Sequence, residues 1–379
     1  MKKEEFQDNQ IRLKNCIQKA EQGKELTIAF FGGSITQGSL ATAPENTYAY
    51  RVFCWWQEHF PKARFHYVNG GIGGTTSHFG VSRVVEDLLM YEPDFVVVDF
   101  SVNDDEKQPE FFSETYEGLL RRILSWPSRP GVIVLNNVFY DTGINCQDFH
   151  NRIADHYGIP HVSIRDSIYQ RIRNGEFTRE ELTPDGLHPN DKGHGLVAEE
   201  ICRCLEKIRA DVKRDADDRV GETDTSTKAH LPAPLTQNSY EYASRLTIRN
   251  CRPALSGFRA DPEEKKGHLD FFKNGWIGEN VGDRIHFEME ASCIAIQYRK
   301  SIHRPAPVAR AIVDGDLAHA ALLDANFEEN WGDCLYLLPI LHHGAPGHHT
   351  VEIEIINAPA PEEREKNGSA FYLLSVITA

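Results

Sequence analysis

Residues Leu26–Ser39 read LTIAFFGGSITQGS. A run of apolar and β-branched residues breaks at a glycine pair into a serine and a polar stretch, the pattern of a buried strand turning tightly into a helix. A strand ending in this way puts Ser34 at the carboxyl edge of its sheet, where the N–H groups of the helix start point outward. Taken alone, the same residues also suit an ordinary helix cap. Two phosphate and nucleophile patterns fail here: a phosphate loop needs a Gly-Lys-Ser/Thr ending, and the GxSxG elbow needs glycine where Thr36 stands.

Four further strand-like runs follow, at Arg64–Asn69, Asp94–Ser101, Val132–Phe139 and Pro160–Ile164. They alternate with amphipathic stretches at Thr47–Phe60, Ser77–Tyr91, Glu110–Ser125, Asp148–Tyr157 and Asp191–Ile208. Alternation of this kind predicts a parallel sheet with helices on both faces, a flavodoxin-like three-layer α/β/α domain over residues 1–210, with ligands beyond the carboxyl ends of the strands. Residues 211–238 are charged and then Thr/Pro-rich, and read as a linker or a connection hugging the surface. From 239 to 379 short alternating runs such as RIHFEME, CIAIQYRK and HTVEIEII predict an antiparallel β-sandwich.

Of the 379 residues, 41 are Lys or Arg and 56 are Asp or Glu, a formal charge of −15. Such a surface repels phosphate backbones and anionic lipid heads, so neither nucleic acid nor a membrane is an expected partner. No apolar run approaches the roughly 18 residues that span a bilayer. The opening MKKEEFQDNQ has no apolar segment to act as a signal peptide, which makes a cytoplasmic location the expectation. The eight cysteines are scattered and suit reduced, mostly buried thiols.

The polar residues at the strand ends carry the chemistry. VNGGIGGTTS follows the second strand, and its glycines at 70, 71, 73 and 74 let backbone N–H groups approach a ligand. VVVDFSVNDD brings Asn103 to the third strand's end, where its amide can donate to an oxygen. In TPDGLHPND, His188 follows Asp185 by three residues, a spacing that lets the carboxylate orient one ring nitrogen while the other faces the sheet edge. Each piece alone is common loop material. Together, in this order and at successive strand ends, they supply complementary roles.

That ordered set resembles the SGNH hydrolases, the GDSL-like esterase and lipase superfamily. GGSIT at Gly32–Thr36 is similar to its nucleophile block, NGGIGGTTS at Asn69–Ser77 to its glycine block, VND at Val102–Asp104 to its asparagine block, and DGLH at Asp185–His188 to its Asp-x-x-His block. Gly33 stands where the eponymous pattern has Asp, and Ser101 where Gly is usual. The resemblance implies a Ser34–His188–Asp185 triad, with an oxyanion hole formed by the N–H groups of Ser34 and Gly74 and the Asn103 side chain, and no metal or other cofactor.

The combination of this core with a β-sandwich is similar to carbohydrate esterases that deacetylate mannan or xylan. The implied activity is therefore O-acetyl esterase on plant polysaccharides or oligosaccharides, with the sandwich as a carbohydrate-binding unit. A lysophospholipase or thioesterase with the same triad, or a catalytically idle sugar-binding protein, is the rival reading. Trp276, in FFKNGWIGEN, and Trp331, in ANFEENWGDC, are the candidates for stacking on sugar rings. Asp314-Gly315-Asp316 reads as a hairpin turn rather than a calcium loop, and the His342-His343 and His348-His349 pairs as solvated side chains. Association into a homo-oligomer is left open by the sequence.

Overall fold

The computed structural model describes residues 8–218 and 231–379, and the chain divides into two compact units, one up to Glu241 and one from Tyr242. Residues 1–7, which open the stretch read for a signal peptide, and residues 219–230 of the expected connection lie outside the described residues.

The first unit runs α1 (Asp8–Glu21), β1 (Glu25–Gly32), α2 (Ser34–Gln37), α3 (Tyr48–His59), β2 (Arg64–Asn69), α4 (Ser77–Asp87), β3 (Phe95–Asp99), α5 (Pro109–Leu124), β4 (Gly131–Asn136), α6 (Gln147–His156), β5 (His161–Ser163), α7 (Ile168–Arg173) and α8 (Asp191–Asp218). Its five strands are parallel, in the order β2-β1-β3-β4-β5. Every residue of β3 and of β4 is buried, as expected of central strands covered by helices on both faces. The order reverses at β1, and it is beyond the carboxyl ends of the strands at such a switch point that sheets of this kind bind ligands.

Three helices of this unit differ from the sequence reading, the short α7 having no counterpart in it. α1 was not expected, yet Leu13, Cys16, Ile17 and Ala20 recur at helical spacing and are buried. Its Asn9 side chain donates to the Val132 carbonyl and accepts the Val132 N–H, each at 2.9 Å, fastening the helix to β4. α8 continues to Asp218, past residue 211, because buried Val197, Ile201, Leu205 and Val212 carry its apolar stripe onward. Residues 231–241 then lie along α5, where the buried Glu117 carboxylate accepts the N–H groups of Leu235 and Thr236 at 2.7 and 2.8 Å.

The second unit contains β6 (Ser244–Leu246), β7 (Ala254–Ser256), β8 (Arg259–Ala260), β9 (Trp276–Gly278), β10 (Arg284–Ala291), β11 (Ile294–Lys300), β12 (Val308–Val313), β13 (Ala321–Asp324), β14 (Cys334–Leu341), β15 (Gly347–Asn357), α9 (Pro361–Asn367) and β16 (Phe371–Thr378). One sheet is ordered β13-β12-β15-β10-β7 and the other β14-β11-β16-β9-β8, with β6 beside β16. The main pairs are antiparallel, and β10 alternates buried and less buried residues with period two. Inward-facing residues of both sheets, among them Ile285, Phe287, Ile296, Val351, Ile353 and Phe371, make one apolar interior. This is a β-sandwich. Among the described residues no helix is long and apolar enough to cross a membrane, and all eight cysteines are free.

Candidate active site

Ser34 is the first residue of α2, a single turn bounded by Gly33 and Gly38. Neighbouring segments hold that turn in place. The Asn69 amide donates to the Thr36 carbonyl at 2.8 Å while its oxygen accepts the Gly71 N–H at 2.9 Å. The buried Arg83 guanidinium donates to the carbonyls of Gly70 and Gly32, at 2.7 and 3.1 Å, and so ties the glycine block to the end of β1. Thr36 Oγ1 meets the Tyr48 hydroxyl at 2.7 Å and donates to Asp99 Oδ2 at 3.1 Å, an oxygen that also accepts the Asn137 amide at 2.9 Å. Burial raises the Asp99 carboxyl to about 7, against the pull of the Asn137 and Thr36 donors.

The loop before α8 brings the base. His188 Nε2 lies 2.8 Å from Ser34 Oγ, and His188 Nδ1 lies 2.7 Å from Asp185 Oδ2. Asp185 Oδ1 accepts the N–H groups of His188 and Leu187 at 2.8 and 3.0 Å and the Thr183 hydroxyl at 3.1 Å. Burial opposes charge on Asp185, but the donors from the His188 ring and from the His188 and Leu187 backbone prevail and lower it to about 2. An ionised Asp185 takes the Nδ1–H, which leaves Nε2 as the acceptor facing the serine hydroxyl. Asn190 anchors the loop to the helix: its side-chain oxygen accepts the N–H groups of Lys192 and Gly193 at 3.0 and 3.1 Å.

Two of the segments expected to supply oxyanion donors, the one carrying Asn103 and the glycine block, lie beside the serine turn. A Cβ at Gly33 would come within 2.1 Å of Asn103 Oδ1 and 2.9 Å of Asn103 Nδ2, so the amide lies directly against the residue before Ser34. Glycine at 33 is what admits it. On the glycine block, a Cβ at Gly73 would be 3.5 Å from Ser34 Cβ. The Gly73 N–H already donates to Gln37 Oε1 at 2.6 Å, whereas the Gly74 N–H has no partner among the described residues. Gly74 takes φ 68°, a left-handed turn that favours glycine. Ser101, at the position where Gly is usual, turns its hydroxyl away to the Asn137 carbonyl at 2.9 Å.

Two buried histidines in this region were not singled out by the sequence. His194, on α8, accepts the Tyr48 N–H at Nδ1 and donates from Nε2 to the Ser39 carbonyl, both at 3.2 Å. Burial lowers it to about 4, so it stays neutral and keeps that tautomer. His150, on α6, meets Asp104 Oδ2 at 3.0 Å and stacks on Tyr116 with 3.7 Å between centroids. Asp104 Oδ1 accepts the Ser77 N–H at 2.8 Å. The residue after Asn103 is thereby bonded to the first residue of α4, which closes the glycine block. His150 gives no sequence signal, standing inside an amphipathic helix 46 residues from its partner.

The two tryptophans part company. Trp276, expected as a candidate for stacking on sugar, is instead 1% exposed on β9, edge-on to Phe287 in the sandwich interior. Its ring presents no face to a sugar, because the turn ends at Asn274, φ 60°, and the strand's first residue points inward. Trp331 is 59% exposed, edge-on to Phe327, with its indole N–H on Glu329. Asp314 and Gly315, at φ 50° and 75°, form the expected turn after β12, and Asp314 is engaged by His349 and Thr350.

The model of the GDSL-like lipase/acylhydrolase family matches residues 30–196. A curated relative, the acetylxylan esterase of Geobacillus stearothermophilus, is 27% identical over 204 residues, 46% of this chain and 92% of that protein. A solved two-domain esterase (CEX) active on acetylated mannans is 46% identical, with 97% of this chain and 94% of that one covered. Its TM-score is 0.89, and 0.88 for the form co-crystallized with mannopentaose.

Proposed function

Because the chain belongs to the GDSL-like lipase/acylhydrolase family, we propose that it is a serine esterase releasing O-acetyl groups from mannan- or xylan-type oligosaccharides and polysaccharides. The observation that carries the chemistry is the continuous chain from Ser34 Oγ through His188, 2.8 Å, to Asp185, 2.7 Å. Ser34 attacks the acetyl carbonyl while His188 Nε2 takes its proton. The oxyanion that forms meets the N–H groups of Ser34 and Gly74 and the Asn103 amide. His188 returns the proton to the departing sugar hydroxyl. It then takes a proton from water as the water oxygen attacks the acetyl carbon, and gives that proton to Ser34 Oγ as the acyl–oxygen bond breaks and acetate leaves.

The substrate class is supported by likeness to the acetylated-mannan esterase over both units. In the second unit the sugar-contacting role falls to Trp331, the exposed one of the two candidates, and the sandwich is proposed as a carbohydrate-binding unit. The test is acetate release from acetylated manno- and xylo-oligosaccharides, alongside a series of 4-nitrophenyl esters of increasing chain length. Acetate release with a steep fall beyond short acyl chains is expected. A preference for long acyl chains would instead point to a lysophospholipase or thioesterase, and no turnover of any ester to an idle sugar-binding protein.

A further inference from the structure

In the second unit the turn between β10 and β11 meets the turn that follows β14. The Gly344 N–H donates to the Ser292 carbonyl at 2.8 Å, and the His343 N–H donates to Cys293 Sγ at 3.4 Å. Cys293 is buried, 1% exposed, and its sulfur lies 4.0 Å from His342 Nδ1. His343 takes φ 53°. Consecutive side chains of an extended strand point to opposite faces, but this left-handed residue turns both rings to one side. They stack with 3.9 Å between centroids. The sulfur and one nitrogen from each ring all fall within 4.8 Å of one another, and both rings are exposed.

We propose that Cys293, His342 and His343 form a binding site for a zinc-type divalent cation. A thiolate with two imidazoles is the donor set that selects zinc over calcium or magnesium, which take oxygen ligands. Bonds of about 2.3 Å to sulfur and about 2.0 Å to nitrogen in a tetrahedron place the donor atoms roughly 3.3 to 3.7 Å apart. The sulfur and His342 Nδ1 are already close to that spacing, and the exposed rings can rotate to converge, which opens their stack. The His343 N–H already points at the sulfur, the position of an outer-shell donor in metal sites. On binding, the Cys293 thiol proton passes to solvent, a S–Zn bond forms, and no electron is transferred. Three protein donors leave the fourth position to water. The ion would staple two turns of the sandwich and takes no part in ester cleavage.

The second histidine pair lies outside this cluster. His349 is spent on Asp314 Oδ2 and the Ala345 carbonyl, at 2.7 and 2.8 Å. His348 lies 3.6 Å from Glu288. In the sequence the two pairs look alike, and the donor that distinguishes them is a cysteine 49 residues before His342.

The test uses the full chain, stripped with chelator and titrated with Co²⁺ and then Zn²⁺. One Co²⁺ per chain should bind, with a thiolate-to-cobalt charge-transfer band that Zn²⁺ abolishes, and Zn²⁺ should raise the melting temperature. Cys293→Ser should lose the band. His342→Ala and His343→Ala should each weaken binding at least about tenfold, while His348→Ala leaves it unchanged. Turnover of 4-nitrophenyl acetate should be the same with and without the ion. No band in the wild type, or undiminished affinity in both His342→Ala and His343→Ala, would overturn the proposal. Should Cys293→Ser not fold, the two exposed histidines decide it.

Discussion

In the first unit all strands of the sheet run the same way, so β1, β2 and β3 release their loops along one edge. Ser34 lies there with Gly73 and Asn103 close by, and the loop before α8 adds His188. In the second unit neighbouring strands are antiparallel, and an end of the sandwich collects hairpin turns instead. What meets there is a pair of turns, 292–293 and 342–344, with a thiol and two imidazoles between them. The interiors differ too. Around the serine turn lie buried polar groups in mutual contact, among them Asp99, Asn137 and Thr36, whereas the sandwich interior is built on one apolar cluster with a few buried polar pairs such as Ser375 on Gln297. Parallel topology thus assembles chemistry from four distant segments, each rigidly supported, while the sandwich offers packing inside and isolated contacts outside. Substitutions in the two units should accordingly fail in different ways.

The largest effect belongs to the sheet edge. Ser34→Ala or His188→Ala should lower kcat on the order of 10⁴- to 10⁶-fold with the melting temperature unchanged. A folded Ser34→Ala protein keeping more than a tenth of wild-type turnover on 4-nitrophenyl acetate would remove Ser34 from the chemistry. The sandwich counterpart is Trp276→Ala. Deleting a ring so fully buried should cost about 3–5 kcal/mol of stability in denaturant unfolding of the second unit, with no selective effect on glycan substrates. A loss below about 1 kcal/mol would contradict its place in the core.

Smaller effects probe what supports the edge. Asn103→Ala removes one donor to the developing oxyanion, about 3–4 kcal/mol, so kcat should fall roughly 10²- to 10³-fold with KM nearly constant. A change confined to KM would make Asn103 a ground-state binder. Asp104→Asn tests the positioning residue beside it. Its link to Ser77 and His150 sets the spacing between Asn103 and the glycine block, and slippage of an ångström there should lower kcat by about 10- to 100-fold, again sparing KM. A purely structural role would lower the melting temperature while leaving kcat per folded molecule intact.

Strand ends at the sheet edge are legible in the sequence because each is an apolar run breaking into Gly, Asn or Asp, and the order of the blocks assigns the roles. Asp185–His188 is legible because both partners lie in one short loop. The equivalent contact between Asp104 and His150 is not, since it depends on how α6 packs against the end of β3. α1 escaped notice because its apolar residues are diluted by Arg12, Lys14, Gln18 and Lys19. Trp276 misleads for a local reason: the Asn-Gly before it does form a turn, but the strand begins at the very next residue, and burial there is set by the facing sheet.

The smallest expected effect lies on the surface of the sandwich. Trp331 sits in a polar loop with one edge against Phe327 and its N–H on Glu329, an arrangement that holds the ring while leaving much of it in solvent. A ring held in this way can stack on a pyranose at little entropic cost. Trp331→Ala should then lower kcat/KM about 5- to 30-fold, the equivalent of about 1–2 kcal/mol, on acetylated mannan oligosaccharide. Turnover of 4-nitrophenyl acetate should be unchanged, since an aryl acetate has no sugar to stack. The melting temperature should move little, because an exposed side chain contributes little buried area. The ratio of the two kcat/KM values is therefore the measurement that isolates the contact. An equal loss on both substrates would tie Trp331 to the integrity of the site rather than to sugar. No loss on either would leave the sandwich as scaffold, and the contrast between the units would then be chemistry in one and structure alone in the other.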